Sequence, residues 1–95
     1  MGISSAGWAN QTGTADRSCA PCGSWKDHWV KLSKKIWPNL CSVDKCSLPA
    51  TLGAHIIHPD AMGEIIVPMC DNCNKLKTVF NLKMGTSLIS ARQCS

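Results

Sequence analysis

Seven cysteines in ninety-five residues are the part of this sequence best equipped for chemistry. Two pairs have Cys-x-x-Cys spacing, Cys19 with Cys22 in "CAPCG" and Cys70 with Cys73 in "VPMCDNCNKLK"; Cys41 and Cys46 form a looser pair with four residues between them. A Cys-x-x-Cys turn presents two thiolates from one tight loop, and tetrahedral zinc needs four such ligands. The pair nearest in sequence to Cys70 and Cys73 is Cys41 and Cys46, so these four are grouped as one all-cysteine site. The rival grouping joins Cys19 and Cys22 to Cys70 and Cys73, and Gly23 favours that knuckle because glycine tolerates the left-handed backbone such turns often use. Under the first grouping Cys19, Cys22 and Cys94 remain, together with His28 or else His55 or His58, which is ligand enough for a second zinc. A disulfide or free thiols are the plainer alternatives, and a four-thiolate site also accepts iron.

The elements that must position these residues are short. "SWKDHWVKLSKKIW" places Trp25, Trp29, Leu32 and Ile36 on one stripe at helical spacing, with Ser24 as N-cap and Pro38 ending the helix beyond Trp37. "AHII" and "EIIVP", separated by the turn-forming "HPDAMG", predict a β-hairpin whose second strand runs into Cys70. "DNCNKLKTVF" then predicts a second helix with Leu76, Val79 and Phe80 facing the core, and the tail "TSLISARQCS" offers one short strand. Residues 1–18, rich in Gly, Ser, Thr and Ala without apolar period, read as a flexible N-terminal arm in which Trp8 docks; residues 19–95 make a single zinc-binding domain.

A chain of this length buries a modest core, and metal coordination is one way to make good the deficit. The cysteine count is odd and no apolar stretch resembles a secretion signal or a membrane span, so paired cysteines point to zinc in a reducing, intracellular (cytoplasmic or nuclear) setting. The formal charge of +4 permits contact with nucleic acid through phosphate neutralisation, and a protein partner equally; no membrane partner is expected. Lys26, Lys31, Lys34 and Lys35 offer a phosphate-binding face, although any amphipathic helix shows a lysine-rich solvent side.

A knuckle, a β-hairpin and a helix carrying the last two ligands make a small α+β, zinc-stabilised, treble-clef-like domain, here with an additional N-terminal amphipathic helix. With "GAHIIHPD" on the hairpin and "VPMCDNCNKLK" running into the helix, residues 41–80 resemble the HNH (His-Me finger) endonuclease family. The resemblance implies His55 as the general base, Asn74 as a helix ligand for a catalytic Mg2+, and cysteines for structural zinc. The departure is Ala54, which stands where many family members carry an acidic metal ligand. Two functions are therefore carried forward: a zinc-binding module contacting nucleic acid or protein, and a metal-dependent endonuclease acting through His55. The sequence leaves enzyme or non-enzyme undecided.

Overall fold

The computed structural model describes residues 5–11, 24–61 and 63–91. In chain order its elements are β1 (Ala9–Asn10), α1 (Trp25–Ser33), β2 (Leu52–Ile57), β3 (Ile65–Met69), α2 (Asp71–Asn74) and β4 (Ile89–Ser90). The strands form one antiparallel sheet in the order β1-β2-β3-β4, with His55 opposite Ile66 at the centre of the hairpin. Proline is rare in a central strand because it has no N–H to give. Pro68 is tolerated because β4 pairs only with Ile65 and Ile66; beyond it the Pro68 carbonyl accepts from the Ser42 N–H at 3.0 Å.

Successive side chains of a strand point to opposite faces, and here both faces are covered. On one face Ala54, Ile56, Ile65, Val67 and Met69 join Trp8, Phe80, Leu82, Cys41 and Cys70 in a buried cluster. On the other, α1 lies across Gly53, His55, Ile66 and Pro68. The approach is close: a Cβ on Gly53 would stand 2.7 Å from the Trp25 carbonyl carbon, so only glycine fits there. Every residue of β3 is buried, as a strand covered on both faces requires.

Capping fixes the helix start as the sequence implies, for the Ser24 side chain accepts from the Asp27 N–H at 3.1 Å. The end differs. The helix stops at Ser33, where Lys34 turns left-handed (φ 60°) and its N–H closes on the Val30 carbonyl. The chain after it folds back, placing Trp37 edge-on to Trp29 and its indole N–H on the Ala50 carbonyl at 2.9 Å. Ile36, expected on the buried stripe, is consequently 92% exposed.

The second helix is also shorter than its periodicity suggests. It is a single turn, after which Leu76 and Val79 are exposed while Phe80 enters the core. Two tertiary contacts compete with helix continuation. Asn10 Nδ2 donates to the carbonyls of Cys73 (2.8 Å) and Leu76 (3.0 Å), and Phe80 exchanges both backbone hydrogen bonds with Trp8. Residues 5–11, within the stretch read as a flexible arm, are thus built into the domain: β1 extends the sheet and Trp8 is fully buried. Trp8 packs against the imidazole of His58, a candidate second-zinc ligand whose ring nitrogens instead meet the Asp60 N–H and the Ala6 carbonyl. No helix of the described residues is long and apolar enough to cross a membrane.

Candidate metal centre

Cys41 and Cys46 are presented by a small hairpin of their own. The Cys41 N–H bonds to the Leu48 carbonyl and Ala50 N–H to that of Asn39, while Cys46 N–H reaches Val43. Lys45 makes the turn with a left-handed backbone (φ 68°), a conformation unfavourable for a residue with a Cβ. The loop is pinned from outside as well. Val43 pairs with Leu82, Asp44 N–H bonds to Asn81, and the Lys83 ammonium donates to the Cys46 carbonyl at 2.7 Å. None of Lys45, Lys83 and Asn10 was singled out from sequence. The partners of Lys83 and Asn10 are distant in the chain, so no local spacing could reveal them.

The second pair comes from the end of β3. Cys70 is the N-cap of α2, and its sulfur accepts from the Cys73 N–H at 3.3 Å, as a thiolate oriented by a backbone amide does. The four sulfurs of Cys41, Cys46, Cys70 and Cys73 lie within 4.8 Å of one another, and no disulfide joins them. Cys46 Sγ stands 3.8 Å from Cys70 Sγ and 3.7 Å from Cys73 Sγ. A zinc–sulfur bond of about 2.3 Å gives tetrahedral sulfur–sulfur edges of about 3.8 Å, so these two spacings are what a shared ion requires. Four cysteines so placed could hold a metal ion such as zinc.

The electrostatics make a cation desirable. Burial pushes the Cys41 and Cys73 thiols up from their ordinary value of 9.0, while hydrogen bonding to the Leu48 backbone draws Cys46 down. Crowded sulfurs cannot all ionise without opposite charge between them; a divalent ion would supply that charge, and the thiols would release their protons to water on binding it.

The other residues singled out from sequence are not gathered here. Among the described residues, the cysteine tetrad is the one group of Cys, His, Asp or Glu side chains with ligand atoms so assembled. His55 faces away from it across the sheet, 4% exposed and edge-on to Trp25 with ring centroids 4.4 Å apart. His28 is fully buried on that same side, where its Nε2 pairs with the Ser90 carbonyl at 3.0 Å. Asn74 is half-buried at the end of α2, its N–H closing on the Cys70 carbonyl. Cys19, Cys22 and Cys94 lie outside the described residues.

No family model, curated protein or solved structure matches this chain. Fold and site together define a small α+β protein with a four-stranded antiparallel sheet and a four-cysteine cluster compatible with a zinc-binding domain.

Proposed function

We propose that this chain is a zinc-stabilised binding module, in which one Zn2+ held by Cys41, Cys46, Cys70 and Cys73 joins the knuckle to the β3–α2 junction. The observation that carries the reading is the clustering of the four sulfurs within 4.8 Å, with spacings of 3.7 and 3.8 Å among them. The order knuckle, hairpin, helical turn supports a shortened treble clef. Binding a macromolecule, nucleic acid or protein, suits the net charge of +4 and a metal whose ligand set has no position left for substrate.

The endonuclease alternative would need His55 and Asn74 to converge on a second, harder cation. Against it stand the burial of His55 beneath Trp25 and the absence of a hairpin acid at Ala54.

The deciding experiment is metal content per chain by elemental mass spectrometry, run with thermal melting on the wild type and on Cys73→Ser. One zinc per chain, lost in the variant, and a melting temperature lowered by more than about 10 °C on chelation are expected, since a structural zinc contributes directly to folding. A chain that keeps its melting temperature and tryptophan signal after the metal is shown to be gone would overturn the proposal.

A further inference from the structure

Opposite the turn at Gly85, the chain that leaves α1 forms a groove of about 290 Å3. Buried Trp29 and Cys41 line it, with Ile36 and Leu40 from the chain after α1 and Lys83 and Met84 from the segment before β4. Ile36 and Met84 both line it and are 92% and 94% exposed. A chain with a small core does not gain stability by leaving two large aliphatic side chains in water around a cleft, and such patches commonly mark interaction sites. The rim is cationic. Lys35 and Lys83 border the groove, and among the described residues no Asp or Glu lines it. Each ammonium has three donors, and the hydrogen bonds seen here, from Lys35 to Ser87 Oγ and from Lys83 to the Cys46 carbonyl, use one apiece.

We propose that this groove binds a short acidic peptide segment of a partner protein, one large apolar side chain seating between Ile36 and Met84 with Asp or Glu residues on either side meeting Lys35 and Lys83. The inference rests on the binding-module reading and names its partner class. Charge complementarity decides among occupants. A second copy of this chain, paired groove to groove about a twofold axis, would bring lysine against lysine. Nucleic acid would find the lysines but no use for the aliphatic walls, and Trp29, only 4% exposed, offers no face for stacking a base. Methionine at the lip suits a peptide groove because its unbranched, polarizable chain adapts to the side chain it meets.

The test is selection of a random twelve-residue phage-displayed peptide library on the zinc-loaded chain. It is followed by titration of the enriched peptide, fluorescein-labelled, against wild type, Ile36→Asp, Met84→Asp and Lys35→Glu, all at exposed positions. Enriched sequences with an apolar residue bordered by Asp or Glu, binding about tenfold more weakly to each variant, are expected. No enrichment, enrichment of basic sequences, or affinity indifferent to the three variants overturns the inference. So does a labelled twenty-base single strand of DNA that binds wild type and Met84→Asp alike while failing on Lys35→Glu, which would make the rim a phosphate contact. Elemental analysis of the same samples separates the two readings: zinc present without peptide binding sinks only the groove, and peptide binding without zinc sinks only the metal.

Discussion

Asn10 donates through its side-chain amide to the carbonyl of Cys73 at 2.8 Å, tying the edge strand to the second cysteine pair across 63 residues of sequence. Its other bond, to Leu76, receives the next segment of chain as it leaves the helical turn. Asn10→Ala removes both donors, so a loss of about 1–3 kcal/mol in urea denaturation is expected, with one zinc per chain retained. Unchanged stability would show that water replaces the amide at no cost.

Gly53 and Trp25 set the distance between α1 and the sheet. A methyl group at Gly53 meets the Trp25 carbonyl carbon and oxygen at 2.7 and 2.8 Å, both backbone atoms that cannot swing aside. Gly53→Ala is expected to destabilise by about 1–3 kcal/mol as the helix is forced outward. A neutral result in thermal melting would mean that α1 shifts freely.

His55 lies on the face of the sheet away from the sulfurs. His55→Ala is expected to leave the zinc content unchanged while opening a cavity beneath Trp25, at a cost of about 2–4 kcal/mol. Zinc lost from the folded variant would make His55 a ligand; magnesium-dependent nicking of plasmid DNA by wild type, absent in the variant, would restore the endonuclease reading.

The pH dependence should have opposite sign with and without metal. In the metal-free chain Cys41 and Cys73 hold their protons more tightly folded than unfolded, so their contribution is present below the ordinary value of 9.0 and lost as pH rises above it. In the zinc-bound chain the four sulfurs are thiolates, and acid must displace the metal to protonate them, so stability falls as pH drops. Melting temperatures of chelated and zinc-loaded samples across pH 5 to 10 should therefore diverge; parallel curves would mean that no metal is bound.

Much of the frame was legible because its signals are local. The hairpin announced itself through β-branched runs around "HPDAMG", the start of α1 through Ser24, and the cysteine grouping through sequence proximity. What failed depended on distant partners. Ile36 and Val79 sit at core-like positions of a helical wheel, yet each helix ends first: one on a left-handed Lys34, the other where Asn10 and Trp8 capture the backbone. Trp8 was legible as a docking residue and is fully buried, but Asn10 was lost in a stretch of small polar residues because its role exists only once the sheet edge is there to receive it. His55 illustrates a subtler limit. The resemblance to HNH endonucleases implied proton chemistry at His55, but which face of a strand a residue takes depends on register, and the register sets it edge-on to Trp25 of α1.

β3 supplies alternate side chains to both layers and ends at Cys70, where the metal would hold it. The two layers are chemically unlike, one carrying the cysteine sulfurs and the other indole and imidazole rings, yet neither has a strand of its own. Fraying from the Cys70 end strips Met69 and Val67 from one layer and Pro68 and Ile66 from the other at the same time. Loss of either layer is therefore expected to release the other, with amide exchange of β2 and β3 rising together.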